Sequence, residues 1–181
     1  MISIEKFEIL GREIWIAVIF ERKIDGLTFS LDGHEYLRER IGSLKAFLER
    51  RSVPVNLAEE KTCYPEIVYD VLTGKIENKN ALEFLSFRGV TPFERKVYET
   101  LTKKVKRGSV ITYGELAKML STSPRAIGNA MRRNPYPILV PCHRVVLKSG
   151  SDPDSDLGNY TPKREYKQFL LELEGVKGWT S

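Results

Sequence analysis

A cysteine and a histidine, a potential nucleophile and a potential base, are adjacent in this sequence at Cys142 and His143. A thiolate is a far better nucleophile than a thiol, so an adjacent imidazole can activate the cysteine by accepting its proton. The apolar residues 138–140 and 145–146 flank the pair, and such runs are typical of buried segments. The pattern indicates a reactive cysteine in a walled, partly dry pocket.

Two prolines, Pro137 and Pro141, lie in the segment that precedes this pair. Proline lacks an amide proton and restrains the residue before it, so the sequence predicts an extended, stiff backbone entering Cys142. An isolated Cys–His pair has a commoner interpretation, however. Free cysteine is among the most buried residue types, so the pair could be a structural cysteine beside a histidine that packs and makes one hydrogen bond.

Composition limits the classes of protein to which the chain can belong. Its 181 residues, 41% of them hydrophobic, suffice for one large or two small domains with a real core. The net charge of +5 is compatible with a polyanionic partner. With two cysteines and no membrane-length or secretory apolar segment, we expect a cytoplasmic protein without a disulfide scaffold. The two Cys and two His show none of the paired spacings of zinc sites, so no metal is expected.

The first half of the chain predicts a small antiparallel sheet with helices. The predicted strands cover residues 2–10, 13–20 and 26–31. Residues 35–50 form a predicted amphipathic helix, because four apolar residues recur there at helical spacing: Leu37, Ile41, Leu44 and Leu48. Pro65 opens a second short helix that Gly74 ends. His34 and Cys63 have no catalytic partners in sequence and are interpreted as structural.

The domain boundary is predicted near residue 88. Residues 74–80 are polar and are interpreted as a linker or an exposed loop. The sequence thus predicts a structural first domain over residues 1–88 and a second domain over residues 89–181 that carries the chemistry.

The second domain is predicted to open with a capped helix. Thr91 and Glu94 form a capping box around Pro92, and the helix extends to about residue 105. Its predicted buried stripe consists of Phe93, Val97, Leu101 and Val105. The lysines on its other face are interpreted as solvated rather than as individual phosphate contacts.

A helix–turn–helix is predicted next. Thr112 and Glu115 repeat the capping box for a helix through residue 120, and Ser123 caps a second helix at Pro124. On that second helix three apolar residues share an inward face: Ile127, Ala130 and Met131. The opposite face presents Arg125, Gly128, Asn129 and Arg132. A cationic face kept flat by glycine suits close approach to a phosphate backbone or a minor groove, although arginines on exposed helices are common.

Four motifs in residues 110–175 resemble those of the O6-alkylguanine-DNA alkyltransferases, also called methylated-DNA–protein-cysteine methyltransferases. In chain order they are VITYGELA, RAIGNAMRRNP, ILVPCHRVV and GNY followed by a helix ending in LEG. The resemblance implies a two-domain α/β fold. Its N-terminal domain would be an RNase H-like β-sheet with helices, and its C-terminal domain a mostly helical, winged-helix-like domain with the helix–turn–helix.

The resemblance implies that Cys142 accepts an alkyl group from O6 of guanine in double-stranded DNA, with O4 of thymine as a further candidate. His143 would act as general base through a water, and Glu174 would orient the imidazole. No cofactor is needed, and each molecule would react once because a thioether is a poor leaving group. A monomer acting on duplex DNA that carries O6-alkylguanine is implied.

A base cannot be attacked inside the stack, so the resemblance also implies that the guanine is flipped out. Arg125 would fill the gap, and Tyr113 would rotate the adjacent phosphate or protonate the leaving base. Further DNA contacts would come from Ser123, Gly128, Asn129, Arg132 and Lys148. The pocket and its support would include Met131, Asn134, Pro141, Val145, Tyr160 and Thr161. Tyr113 has an equally plain interpretation as a half-buried aromatic residue at a helix start.

A final helix, capped by Thr161, is predicted to bury Tyr166, Phe169, Leu170 and Leu173. Glu174 then lies at the edge of this stripe, where a carboxylate opposes the helix dipole at a cost of a few tenths of a kcal/mol, roughly. Glu172, near the same helix end, incurs the same cost, so the residues do not choose between the two carboxylates and only the resemblance selects Glu174.

Two departures from the family pattern concern the segment after His143. Residues 151–156 form an acidic stretch longer than the pattern, which we expect to point away from DNA. After Tyr160, the run Thr161, Pro162, Lys163 is stiffer and bulkier than the small residues common there, so the range of accepted alkyl groups stays open.

Two rival functions come from other classes. A Cys–His–Glu set could serve an acyl-transferring hydrolase, although such enzymes draw the base from far away in sequence. A helix–turn–helix protein could instead bind alkylated DNA as a damage sensor, although a pure binder has no need of Cys142.

Overall fold

The structure is a computed structural model that describes residues 1–147 and 164–176. The chain divides into two compact units. The first comprises Met1–Arg95 and Pro135–Leu139, and the second comprises Lys96–Asn134 and the described residues from Val140 onward.

The first unit contains the predicted antiparallel meander. Its strands, in sheet order, are β1 (Ile2–Ile9), β2 (Arg12–Phe20) and β3 (Ile24–Ser30). Leu10 and Gly11 join β1 to β2 with φ values of 50° and 75°, the two positive values of a type I′ hairpin turn. The three predicted strands are confirmed, with β3 beginning two residues earlier than the pattern indicated.

Helix α1 (His34–Arg50) covers this sheet, as predicted. Its four apolar residues pack in one cluster with sheet residues such as Ala17 and Ile19. Each fully buried leucine or isoleucine contributes about 1.5–3 kcal/mol, so the stripe accounts for the attachment of the helix. His34 is exposed and lies edge-on to the Trp15 ring, with 4.9 Å between the ring centroids.

The prediction of a linker or exposed loop over residues 74–80 is confirmed for residues 74–77, which have no regular structure and are mostly exposed, but it is wrong for residues 78–80. After α2 (Tyr64–Leu72) the chain forms a short helix, α3 (Asn78–Ala81), followed by a 3-10 turn over Leu82–Phe84. Asn78 is buried because its amide satisfies two backbone carbonyls, those of Ile138 and Leu139. Polar composition suggested solvent exposure, but a buried asparagine is stable once its hydrogen bonds are made.

Helix α4 (Pro92–Lys104) begins with the predicted capping box. The Thr91 amide donates to Glu94 Oε1 at 3.0 Å, and the Glu94 amide donates to Thr91 Oγ1 at 3.1 Å. The predicted burial of Phe93 is wrong, since its side chain is 41% exposed. Glu94 is buried in this first turn instead, where Arg51 pairs with it through two nitrogens. The buried stripe consists of Val97, Tyr98, Leu101 and Val105.

The second unit contains the predicted helix–turn–helix, formed by α5 (Tyr113–Met119) and α6 (Pro124–Arg132). Thr112 and Glu115 form the predicted capping box, and Ser123 Oγ accepts from the Ala126 amide at 3.1 Å. The three inward residues of α6 are buried as predicted: Ile127, Ala130 and Met131.

Two short strands and a last helix complete this unit. Strands β4 (Ile111–Thr112) and β5 (Val145–Val146) pair in parallel. Helix α7 (Arg164–Leu173) buries Tyr166, Phe169 and Leu170 as predicted, whereas Leu173 is half-buried. The predicted cap at Thr161 lies outside the described residues. Within residues 1–147 and 164–176, no helix is long and apolar enough to cross a membrane.

Candidate active site

Cys142, His143 and Arg144 form a 3-10 turn directly before β5. All three side chains are buried, with relative exposures of 6%, 1% and 1%. Val140 and Val145 on either side are fully buried. The nucleophile and the base are thus placed together between apolar walls.

The backbone that enters Cys142 is turned, so the prediction of an extended approach is wrong. Pro141 has φ −80° and ψ 63°, and the Cys142 amide donates to the Val140 carbonyl at 2.8 Å, which defines an inverse γ-turn. Asn134 Nδ2 donates to the same carbonyl at 3.1 Å. Proline fixes φ but leaves ψ free, and these two hydrogen bonds select the turn.

Ile138, four residues before Cys142, has a φ of 74°. A β-branched residue at positive φ is a backbone outlier that costs about 1–3 kcal/mol. Asn78 Nδ2 donates to the carbonyls of Ile138 and Leu139, at 2.7 and 3.1 Å. These bonds offset part of the strain. The sequence prediction missed Asn78 because it lay in the segment interpreted as a linker.

A carboxylate and a guanidinium meet the imidazole. Glu174, just after α7, accepts at Oε1 from His143 Nε2 at 2.6 Å. Arg144 donates to both oxygens of the same carboxylate, each at 2.9 Å, and its third nitrogen donates to the Val105 carbonyl. Glu172 is exposed and accepts from Gln168. Of the two carboxylates that the residues left open, the structure brings only Glu174 to His143.

The electrostatics of this array favour a neutral histidine and an ionised glutamate. Burial lowers the pKa of His143, and Glu174 raises it only in part. Burial alone would raise the pKa of Glu174, but His143 and Arg144 together hold it at about 2. Because the carboxylate accepts the Nε2 proton, Nδ1 carries the lone pair in the neutral ring. Among the described residues Nδ1 has no hydrogen-bond partner, so it is available as a base.

Lys167 of α7 belongs to the same region, and the sequence prediction missed it. The side chain is 1% exposed, and its Nζ donates to the Val145 carbonyl at 2.6 Å. Burial lowers the pKa of Lys167 to about 8, while interaction with Cys142 raises it. A cation beside a thiol stabilises the thiolate. A signal was present, because Lys167 lies three and four residues before the buried Leu170 and Leu171.

Tyr113, the first residue of α5, is half-buried near the same groups. Lys167 Nζ lies 5.9 Å from the centre of its ring. Burial raises the pKa of Tyr113 to about 12, and interaction with Cys142 contributes to the rise. The structure therefore places a neutral phenol beside the thiol and the lysine.

The outer face of α6 keeps its two cations, Arg125 and Arg132, in solvent. Gly128 and Asn129 between them are half-buried, and the Asn129 side chain accepts from Arg132. The Ser123 hydroxyl is exposed and engaged in the helix cap. Met131, on the opposite side, is buried.

Three predicted site residues, Lys148, Tyr160 and Thr161, lie outside the described residues, as does the acidic stretch 151–156. Within the described ranges, no cluster of His, Cys, Asp and Glu has the composition of a metal site.

Two family models match the chain. Residues 1–88 match "Methylated DNA-protein cysteine methyltransferase, N-terminal", and residues 92–176 match "6-O-methylguanine DNA methyltransferase, DNA binding domain". Relatives named methylated-DNA–protein-cysteine methyltransferase, from Thermococcus barophilus and Thermococcus sibiricus, are 82% and 62% identical over the full length of both chains.

A solved structure is also similar to this one. The crystal structure of O6-methylguanine-DNA methyltransferase from Pyrococcus kodakaraensis strain KOD1 has a TM-score of 0.92 and 53% identity. The match covers 97% of this chain and 100% of that one. It confirms the α/β fold class that the sequence motifs implied.

Proposed function

The chain belongs to the methylated-DNA–protein-cysteine methyltransferase family, and we propose that it transfers one alkyl group from O6 of guanine to the sulfur of Cys142. Family membership establishes the enzyme class and the role in DNA repair. The acceptor residue, the single turnover and the handling of the DNA are the proposal. The observation that carries it is the buried bond from His143 to Glu174, next to the one cysteine in the matched DNA-binding domain.

The proposed reaction is a single displacement. His143 Nδ1 takes the proton of the Cys142 thiol, through a water, and Glu174 stabilises the imidazolium that results. The thiolate attacks the alkyl carbon, so a carbon–sulfur bond forms as the carbon–oxygen bond breaks. The electron pair of the broken bond stays on O6, and a proton neutralises the departing guanine. A thioether is a poor leaving group, so the thiol is not regenerated.

Lys167 and Tyr113 are proposed to assist at this thiol. The Lys167 cation offsets the negative charge of the thiolate before attack. Tyr113, with its pKa raised to about 12, stays protonated at neutral pH and acts as a hydrogen-bond donor. Its acceptor is the leaving base or the phosphate beside it.

The proposed substrate is duplex DNA with the alkylated guanine flipped into the pocket, and O4-alkylthymine is a further candidate. Arg125, exposed on α6, would fill the vacated space, and Arg132 would contact the backbone. The matched DNA-binding domain supports this assignment.

We further propose a cytoplasmic monomer in which residues 1–88 are structural and residues 89–181 bind DNA and accept the alkyl group.

The test is intact-mass spectrometry after mixing the protein with a duplex that carries O6-methylguanine. We expect a permanent mass gain of one methyl group per molecule and no further gain with excess duplex. Cys142→Ser should show no gain. Cys63→Ser, which removes the exposed cysteine, should behave like the unmodified protein.

A protein that binds the duplex without any mass change would be a damage sensor, and the transfer proposal would fail. Methylation that persists in Cys142→Ser would leave the activity intact but place the acceptor elsewhere.

The pH dependence of the transfer rate follows from the lowered pKa of His143. The ring accepts a proton only while it is neutral, which holds above its own pKa. That pKa lies below the ordinary value of 6.5, so the rate should hold down to pH 6.5 and fall only at lower pH. Single-turnover rates between about pH 8 and pH 5 measure this. A midpoint at or above 6.5 would contradict the assignment of His143 as a buried base.

A further inference from the structure

Asn78 is a buried residue that lies far from Cys142 in sequence. Its side chain nevertheless makes hydrogen bonds to the segment that leads to this cysteine. Its Nδ2 donates to the carbonyls of Ile138, at 2.7 Å, and of Leu139, at 3.1 Å. Its residue exposure is 8%. One amide group thus orients two consecutive peptide planes.

The first of these peptide planes follows Ile138, whose β-branched side chain is poorly suited to its backbone conformation. Ile138 has a φ of 74°, a region that glycine enters freely and β-branched residues avoid. Such a conformation persists only where surrounding bonds enforce it. The two hydrogen bonds from Asn78 contribute to this enforcement, together with the burial of Ile138, which is 2% exposed.

From Ile138 to Cys142 the chain has little freedom to absorb a change. Pro141 has its φ fixed by its ring, and the Val140 carbonyl is held by both the Cys142 amide and Asn134. A relaxation of φ at Ile138 would therefore be transmitted along the backbone to Cys142.

We propose that Asn78 is a positioning residue, which sets the place of the Cys142 sulfur by holding Ile138 at positive φ. Asn78 touches neither substrate nor the reacting atoms. Its effect on rate arises because displacement of a nucleophile by about 1 Å can cost about 10²-fold. The methyl-transfer consequence rests on the proposed function, whereas the effect on the thiol's position does not.

The test compares Asn78→Leu, which removes both N–H donors at similar volume, with Asn80→Leu, a matched change at an exposed asparagine of the same short helix. Asn78→Ala serves where the leucine variant fails to fold. Two rates are measured at a temperature where circular dichroism shows each variant folded. One is methyl transfer from O6-methylguanine duplex. The other is alkylation of Cys142 by iodoacetamide, in a Cys63→Ser background and without DNA.

Both rates should fall in Asn78→Leu, with methyl transfer slower by at least about tenfold, and neither should change in Asn80→Leu. Ile138→Gly supplies the decisive rescue, because glycine populates positive φ without help. In the double variant Asn78→Leu with Ile138→Gly, both rates should return to those of Ile138→Gly alone.

A folded Asn78→Leu protein with unchanged rates and only a lower melting temperature would overturn the proposal, as would a double variant that is no faster than Asn78→Leu. If the unmodified protein transfers no methyl group, the proposed function fails. The iodoacetamide rates then still decide the role of Asn78.

Discussion

Replacing Glu174 by glutamine will slow methyl transfer by about 10²–10⁴-fold and destabilise the fold by about 3–5 kcal/mol. The side chain is 6% exposed and its carboxylate accepts from His143 and from two nitrogens of Arg144. Glutamine keeps the volume but removes the charge. The buried guanidinium of Arg144 then lacks its counter-ion, which is the origin of the loss of stability.

The loss of rate has a separate cause in the histidine tautomer. All three groups around the carboxylate donate to it, so an amide NH2 must face a donor. Because glutamine is neutral, the ion pair with Arg144 is lost in either orientation. If the NH2 takes the place of Oε2, it also faces the Nε–H of Arg144 and that hydrogen bond is lost. If it turns to His143, it donates to Nε2 and moves the ring proton to Nδ1, the nitrogen needed as base.

Single-turnover transfer rates and denaturant unfolding measure the two effects. Glu172→Gln is the matched control, since Glu172 is exposed in the last turn of α7, two residues before Glu174, and should tolerate the change. The pKa of Glu174 is lowered to about 2 from 4.5, so its contribution to stability is complete above pH 4.5 and is lost as the pH falls towards 2. The stability difference from the unmodified protein should shrink over that range. A Glu174→Gln protein that transfers methyl groups at the wild-type rate would contradict the proposed role of the carboxylate.

Local chemistry explains which parts of the fold could be predicted from sequence. The capping boxes at Thr91 with Glu94, and at Thr112 with Glu115, are bonds between residues three apart, so the sequence contains the whole interaction. The stripe of α1 was visible because its spacing follows from helix geometry alone. The adjacent Cys142 and His143 were found for the same reason.

Most of the errors and omissions involve partners that are remote in sequence; the turn at Pro141 is the exception, because its hydrogen bonds join residues two and six apart. Asn78, Arg144 and Lys167 carry polar groups that propensity places in solvent. Each is buried by a hydrogen-bond partner respectively 60, 30 and 22 residues away. Glu174 meets His143 across 31 residues, and for that reason only the family resemblance selected it over Glu172. The prediction that Phe93 is buried is wrong because the sequence does not show that Arg51 pairs with Glu94, 43 residues away.

Replacing Arg144 by methionine will destabilise the fold by about 3–5 kcal/mol and move the acid limb of the transfer rate to higher pH. The side chain is 2% exposed and uses three nitrogens, two on Glu174 and one on the Val105 carbonyl. Methionine fills similar space without donors. Among the residues that the structure describes, His143 is then the remaining partner of Glu174, a buried anion.

The shift in pH dependence follows from the charge of Arg144, which lowers the pKa of His143. Without that cation, and with Glu174 free to pair with imidazolium, the pKa of His143 rises. The base is therefore protonated, and inactive, at higher pH than in the unmodified protein.

Arg144→Lys separates the effect on stability from the effect on the pKa of His143. Lysine keeps the positive charge but cannot make the bidentate contact with the carboxylate. It should lose stability while its acid limb moves less than that of Arg144→Met. Urea unfolding at neutral pH and single-turnover rates across the acid range provide both measurements. An acid limb in Arg144→Met that coincides with the unmodified protein's would show that Arg144 only stabilises the fold and does not tune the base.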